Sequence, residues 1–145
     1  MGTVMPDKKH RILVVDDERM IATMLADVFS FEGYEAATAF SGEQAILVAR
    51  SFKPDFLVSD VVMGEMSGID AAINILSTLP QCKVLFISGN AMYTDTPGSN
   101  SLKNAYAKGF QFEMIQKPVK ARELLDRISQ ILLLDTESHH PMQSV

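Results

Sequence analysis

Four short, largely apolar runs are spaced along the chain, and longer stretches with helical periodicity lie between them. The runs cover residues 12–15, 56–58, 84–87 and 112–115. Runs of this length between helical patterns are typical of strands buried in a parallel sheet. Residues 34–39 are small or β-favouring, and they predict a weaker strand, second in chain order.

Five helices are predicted by apolar residues that recur at i, i+3, i+4 and i+7. Gly33 is placed to end the first helix, and Ser41 and Gln44 have the capping-box spacing that opens the second. We expect the apolar positions of the five helices to face the core: Ile21, Met24, Leu25 and Val28; Ala45, Val48, Ala49 and Phe52; Ile69, Ala72, Ile73 and Leu76; Leu102, Ala105 and Tyr106; and Ala121, Leu124, Leu125, Ile128 and Leu132.

Five alternating strands and helices predict an α/β domain, a doubly wound (βα)5 flavodoxin-like fold with a parallel sheet. Right-handed crossovers allow few topologies, and we expect the strand order 2-1-3-4-5. We assign residues 10–134 to this domain and residues 1–9 to an N-terminal extension. Residues 135–145 lose the apolar pattern and contain His139 and His140, which predicts a flexible C-terminal tail.

Polar residues that could bind a ligand or react follow four of the predicted strands. Asp16 and Asp17 come directly after the first strand, Asp60 after the third, Ser88 after the fourth and Lys117 after the fifth. The carboxyl ends of parallel strands meet at one edge of the sheet, where ligands bind in folds of this kind. We therefore expect these five side chains to form one site.

Three crowded carboxylates repel one another, so the site needs a cation or must hold a proton. Hard oxygen ligands suit Mg²⁺, with Asp17 and Asp60 as direct ligands and Asp16 acting through water. Asp60 is then a candidate acceptor of a phosphoryl group, because a carboxylate can form an aspartyl phosphate. Ser88 and Lys117 would contact the phosphoryl oxygens.

These motifs together resemble the receiver domain of response regulators in two-component signalling. The matching pieces are residues 12–18, residues 58–60, Gly68, Ser88 and the Lys117-Pro118 pair. The resemblance implies that a histidine kinase or phosphorelay partner phosphorylates Asp60 in a Mg²⁺-dependent reaction. It also implies that the backbone carbonyl of Val62 binds the metal, and it allows a cis bond before Pro118.

Several positions depart from the family pattern. Gly64 stands where a proline is usual, and Met114 stands where an aromatic switch residue is usual, with Phe112 one pleat repeat earlier. The segment between Ser88 and Lys117 is longer than usual, with the excess in residues 89–101. We take Met114, Phe112 and Pro118 as candidate switch and output residues, and residues 89–101 as a loop that transmits the signal.

Composition narrows the possible partners. The chain has 145 residues, 13 basic and 18 acidic, with a formal net charge of −5. It has no concentrated basic face, so we expect no nucleic-acid binding. No signal peptide or membrane span is recognisable, and the single cysteine, Cys82, predicts no disulfide framework. We expect a cytoplasmic monomer or weak dimer, with Cys82 a small structural residue at the start of a strand.

The predicted function is that of a single-domain response regulator, not an enzyme, which signals to an unknown target by altered partner binding or relays its phosphoryl group. A haloacid-dehalogenase-like phosphatase would need a second aspartate where Val62 stands. An unphosphorylated interaction module is the other alternative, although such modules typically lose part of the acidic pocket or the lysine. The chain has neither a phosphate-binding P-loop motif for ATP nor a core histidine for phosphotransfer.

Overall fold

The computed structural model describes residues 9–89, 107–109 and 112–138. In chain order the strands and helices are β1 (Arg11–Val15), α1 (Arg19–Phe31), β2 (Glu35–Ala39), α2 (Gly42–Phe52), β3 (Phe56–Asp60), α3 (Gly68–Thr78), β4 (Lys83–Ser88), β5 (Glu113–Gln116) and α4 (Ala121–Ser138). Strands and helices alternate along these residues except between β4 and β5, where most of the connecting chain lies outside the described residues. The predicted fourth helix and the loop at residues 89–101 lie, apart from Gly89, outside the described residues.

All five strands are parallel and follow the order β2-β1-β3-β4-β5. The predicted fold class and strand order are therefore confirmed. β1 and β3 are neighbours at the centre of the sheet, with Val15 opposite Ser59. This register brings the polar residues that follow the two strands to the same edge.

The core is divided between the two faces of the sheet, because successive side chains of a strand point to opposite sides. One face packs Leu13, Val15 and Leu57 against helices α2 and α3. The other face packs Ile12, Val14, Phe56 and Val58 against α1 and α4. Helices thus cover both faces, as the continuous apolar runs required.

The buried face of α1 differs from the predicted one. Ala22, Leu25, Ala26 and Phe29 are buried, whereas Met24 is 57% exposed. The buried set keeps the spacing i, i+3, i+4, i+7 but begins one residue later than the predicted set. The prediction weighted large side chains, while the structure uses two alanines that let the helix backbone approach the sheet. The placement of Met24 in the core was wrong.

The other predicted helices in the described part of the chain are close to expectation. Ser41 caps α2 by accepting a hydrogen bond from the Gln44 N–H at 3.0 Å, and the Gln44 side chain reaches back to the N–H of Phe40. Each of α2, α3 and α4 buries part of its predicted stripe and leaves the rest half-buried. The predicted positions that are buried in the structure are Ala45, Ala49, Ile69, Ala72, Leu124, Leu125 and Ile128.

The C-terminal helix extends further than the sequence pattern indicated. α4 continues to Ser138, so residues 135–138 are helical where a flexible tail was expected. The rest of that tail, including His139 and His140, lies outside the described residues, as do residues 1–8. Among the helices that the structure describes, none has the length and apolar character needed to cross a membrane.

Cys82 lies directly before β4 and is buried. Burial raises the pKa of its thiol to about 12. A thiol in this state is a poor nucleophile, because the thiolate is the reactive form. The position of Cys82 directly before β4 agrees with the predicted place at the start of a strand.

Candidate phosphoryl-acceptor site

Three carboxylates meet at the carboxyl edge of the sheet, as expected. Asp16 and Asp17 follow β1, and Asp60 is the last residue of β3. Their carboxylate oxygens, one from each residue, lie within 4.8 Å of one another. Asp16 is buried, Asp60 is half-buried and Asp17 is exposed. The cluster is therefore open to solvent on one side, and its oxygen donors could hold a metal ion.

Asp16 is fixed in place by the turn into α1. Its Oδ1 accepts a hydrogen bond from the Glu18 N–H at 2.9 Å, and its own N–H donates to the Ala39 carbonyl of β2. Burial raises the pKa of Asp16, and the nearby charge of Asp60 raises it further, against the lowering effect of the Glu18 N–H. The surroundings of this carboxylate thus disfavour its charged form.

Both oxygens of Asp60 have hydrogen-bonding partners. Oδ1 accepts from the Val61 N–H at 2.8 Å, and Oδ2 faces Lys117 Nζ at 3.3 Å. Burial raises the pKa of Asp60, although the ion pair with Lys117 opposes this shift. Burial alone would lower the pKa of Lys117, but the charges of Asp60 and Asp16 outweigh it and raise that pKa. Lys117 is therefore a fixed positive charge beside Asp60.

Backbone contacts between β4 and β5 position Lys117. Its N–H donates to the carbonyl of Ser88, and the residue before it, Gln116, is opposite Ser88 in the sheet register. The Lys117-Pro118 peptide bond is cis. Ser88 ends β4 and is buried, while Asp60 is opposite Ile87 on the neighbouring strand. The hydroxyl-bearing residue and the lysine thus leave adjacent strands at the same edge as the three carboxylates.

Known proteins resemble this chain in sequence and in fold. The profile of the response regulator receiver domain matches residues 12–129. This chain belongs to that family. Receiver domains are signalling domains and not classical enzymes.

Two curated relatives show how far the likeness extends. The chemotaxis protein CheY of Thermotoga maritima is 35% identical over 120 residues, which cover 82% of this chain and 97% of CheY. The probable transcriptional regulatory protein TcrX of Mycobacterium tuberculosis is 31% identical over 121 residues, which cover 83% of this chain but only 49% of TcrX. The chain therefore matches nearly all of CheY but only about half of TcrX.

Solved structures show the same fold. A CheY-like receiver domain protein from Methanospirillum hungatei superimposes with a TM-score of 0.77 at 23% identity, covering 90% of this chain and 99% of that one. The receiver domain of the hybrid histidine kinase CckA has a TM-score of 0.64 at 28% identity, covering 83% of this chain and 96% of that domain.

The loop after β3 explains one departure of this receiver domain from the family pattern. Gly64 has a φ of +51°, in the left-handed region. Proline, with φ fixed near −65°, cannot adopt this conformation. The loop therefore follows a path that excludes the usual proline. Within the loop, Val62 is exposed and Met63 is buried. The carbonyls of the two residues before Val62, Asp60 and Val61, each accept a hydrogen bond.

The candidate switch residues lie on the edge strand and just before it. Met114 is half-buried and opposite Phe86 in the register of β4 and β5. Phe112 is also half-buried, and its ring meets Phe86 edge to face with the centroids 5.1 Å apart. Both side chains pack on the sheet face covered by α2 and α3. Pro118 is exposed beyond the site. Their role in a switch stays a prediction.

Two polar features near the site were not predicted from the sequence. Ser59 follows the apolar run of β3 and is buried, and its hydroxyl donates a hydrogen bond to the carbonyl of Asp60 at 2.8 Å. The Arg19 guanidinium lies over the ring of Phe40, 4.3 Å from the centroid. The serine between the apolar run 56–58 and Asp60 is visible in the sequence, but its bond to the Asp60 carbonyl is not. The second depends on a contact between distant segments that no local pattern contains.

Proposed function

We propose that this receiver domain accepts a phosphoryl group on Asp60 from a phosphohistidine of a histidine kinase or phosphotransfer protein. The surroundings of Asp60 carry the proposal. Its carboxylate is held by a backbone N–H and by Lys117, beside two further carboxylates. Phosphoryl transfer depends mainly on positioning and on charge stabilisation, and the Val61 N–H and the Lys117 ammonium contribute to both.

In the proposed step an oxygen of Asp60 attacks phosphorus, and the bond between phosphorus and the donor imidazole nitrogen breaks. The electron pair of that bond stays on the nitrogen, so the donor leaves as neutral imidazole when its other nitrogen carries a proton. The product is an aspartyl phosphate. Lys117 is already paired with Asp60 and would pair with the new phosphoryl oxygens, while Ser88 would donate a hydrogen bond to them.

The proposed metal is Mg²⁺, held by Asp17, Asp60 and the Val62 carbonyl, with Asp16 acting through water. The donor set fits, since hard oxygen ligands and an exposed side that admits water are what Mg²⁺ prefers. When bound, the ion supplies positive charge that offsets the carboxylates and the incoming phosphoryl group. The close approach of the three carboxylates, whose oxygens lie within 4.8 Å of one another, supports the need for such a charge.

The output in this proposal is a change in the binding of a downstream partner, or transfer of the phosphoryl group to another protein. An aspartyl-phosphate hydrolase is less well supported, because the exposed Val62 occupies the position of its second aspartate. A cytoplasmic location, a monomeric or weakly dimeric state and the lack of nucleic-acid or membrane partners stay predictions.

The test uses acetyl phosphate as a small phosphodonor with MgCl₂, read by intact-protein mass spectrometry. One phosphoryl group should be added to the wild-type chain, and chelation of Mg²⁺ should prevent the addition. Asp60→Ala should remain unmodified, because it lacks the acceptor. The matched control is Asp126→Ala, which removes an exposed carboxylate on α4 that pairs with Arg122.

Two outcomes would contradict the proposal. Unchanged labelling of Asp60→Ala would assign the acceptor to another residue. A wild-type chain that stays unmodified with both acetyl phosphate and a phosphorylated histidine kinase would favour the unphosphorylated interaction module.

A further inference from the structure

The peptide group between Asp60 and Val61 is hydrogen-bonded at both ends. Its carbonyl accepts from the Ser59 hydroxyl at 2.8 Å, and its N–H donates to Oδ1 of Asp60 at 2.8 Å. A peptide group is planar, so fixing its carbonyl direction also fixes the direction of its N–H. The Ser59 hydroxyl therefore contributes to the direction of the Val61 N–H, and that N–H holds the carboxylate proposed as the acceptor.

Gly68 closes the same region from the start of α3. A Cβ added at Gly68 would lie 2.0 Å from the Asp60 carbonyl oxygen and 2.7 Å from Ser59 Oγ. The Gly68 N–H also donates to the Val61 carbonyl at 2.7 Å. The carbonyls of Asp60 and Val61 are thus both bonded, one to a side chain of β3 and one to the backbone of α3. A glycine is required here because any side chain would displace the Asp60 carbonyl.

The burial of Ser59 means that its hydroxyl needs a hydrogen-bonding partner. Ser59 is 2% exposed and shares its sheet face with the apolar residues Leu57 and Val61. A hydroxyl in such surroundings is costly unless it is hydrogen-bonded. Here its bond is made to the residue that the proposed function assigns as the acceptor.

We propose that Ser59 is a positioning residue for phosphoryl transfer, acting through the 60–61 peptide group with Gly68 as its steric support. The inference rests on Asp60 being the acceptor. Ser59 touches neither donor nor metal in this account. It fixes the direction from which the Val61 N–H holds Oδ1, while Lys117 holds Oδ2 from the other side. Small losses of alignment at a reacting group have large effects on rate.

The decisive variants are Ser59→Ala, which removes the hydroxyl, and Ser59→Cys, which keeps the volume but has a much weaker donor. The matched control is Ser77→Ala, which removes an exposed hydroxyl-to-carbonyl bond, to Asn74, at the far end of α3. Phosphorylation by acetyl phosphate is measured at saturating Mg²⁺ over a range of donor concentrations. In parallel, the Val61 amide signal is followed by NMR without any donor.

We expect Ser59→Ala to lower the maximal rate by about tenfold and to leave the half-saturating donor concentration within about twofold of wild type, since the loss falls on the transition state. The Val61 amide proton should move upfield as its bond to the carboxylate weakens. Ser59→Cys should behave like Ser59→Ala, and Ser77→Ala like wild type. Gly68→Ala should also slow the reaction, and Ser59→Ala carries the test if that variant fails to fold.

Two results would overturn the inference. One is a Ser59→Ala rate at the wild-type level with the Val61 amide unmoved. The other is full recovery in Ser59→Cys, which would show that filled volume matters and the hydroxyl does not. Failure of the proposed function is distinguishable from both, because the wild-type chain would then not be phosphorylated at Asp60, while the Val61 signal would still report the peptide orientation.

Discussion

The centre and the edge of the sheet hold their side chains differently. In β3, at the centre, every residue is buried except the half-buried Asp60. In β5, at the edge, the two inner residues are half-buried and the two outer ones are exposed. The carboxylate proposed as the acceptor thus comes from a buried central strand, while its lysine partner follows the strand with the least burial.

This difference in burial suits the two regions to different roles: holding Asp60 in place and rearranging in response to a change there. Backbone contacts at the centre hold Asp60 in one orientation, which favours reaction with a donor. Side chains at the edge have fewer contacts to lose, and regions of that kind rearrange at low cost. The Lys117–Asp60 ion pair joins the two regions directly, so a change at Asp60 can reach β5 through it.

Breaking that pair should have the largest effect. Lys117→Ala removes the ammonium beside Oδ2, and we expect acetyl phosphate to modify Asp60 about 100-fold more slowly, the typical loss for one group that stabilises developing charge. Lys117→Arg should not restore the response of β5 amides to beryllofluoride, a phosphoryl mimic, because a planar guanidinium differs in reach from an ammonium. Kinetics and amide NMR measure the two effects.

The control for this prediction is Lys120→Ala, which removes an exposed lysine three residues further along the same connection. It should leave both measurements unchanged. Wild-type kinetics in Lys117→Ala, or a full beryllofluoride response in Lys117→Arg, would remove Lys117 from the account.

Two phenylalanines in contact allow a buried strand and the edge of the sheet to be compared with the same side chain. Phe86 of β4 is fully buried and Phe112 is half-buried, and their rings share one edge-to-face contact. Phe86→Ala should lower the free energy of unfolding by about 3–5 kcal/mol, and Phe112→Ala by roughly half as much. Urea denaturation of the metal-free protein measures both. Equal losses would show that Phe112 is packed as tightly as Phe86.

A smaller effect is expected from the charge of Asp16. Burial raises the pKa of this carboxyl above the unfolded value of about 3.9, so its contribution to stability is complete below that value and is lost as pH rises through the folded pKa. Asp16→Asn keeps an oxygen for the Glu18 N–H and removes the charge. The metal-free variant should therefore be more stable than wild type at neutral pH, with the gain disappearing toward pH 4.

Urea midpoints of both proteins across this pH range, without Mg²⁺, test the prediction. A difference that does not vary with pH would mean that the charge of Asp16 is not the cause. A variant less stable than wild type at neutral pH would mean that the hydrogen bond to Glu18 needs the carboxylate.

The sequence predicted the sheet well, because the buried strands are short apolar runs and each is followed by a polar residue. Asp16, Asp17, Asp60 and Lys117 could be brought together from strand order alone. The buried face of α1 could not be predicted in the same way, since two alanines take the place of larger residues.

The details that orient the site were also beyond the sequence pattern. The Ser59 bond to the Asp60 carbonyl and the close approach of Gly68 depend on the path of the loop after β3. The left-handed conformation of Gly64 belongs to the same path. Local periodicity contains no information about a loop that is fixed by contacts between a strand and the following helix.

The most direct test of the central claim locates the phosphoryl group chemically. Protein treated with acetyl phosphate and Mg²⁺ is reduced with borohydride, which converts an aspartyl phosphate to homoserine, and the digested peptides are sequenced by mass spectrometry. The account predicts homoserine at position 60 and unmodified aspartate at positions 16 and 17. Homoserine at position 16 or 17, or none in a protein that carries a phosphoryl group, would contradict it.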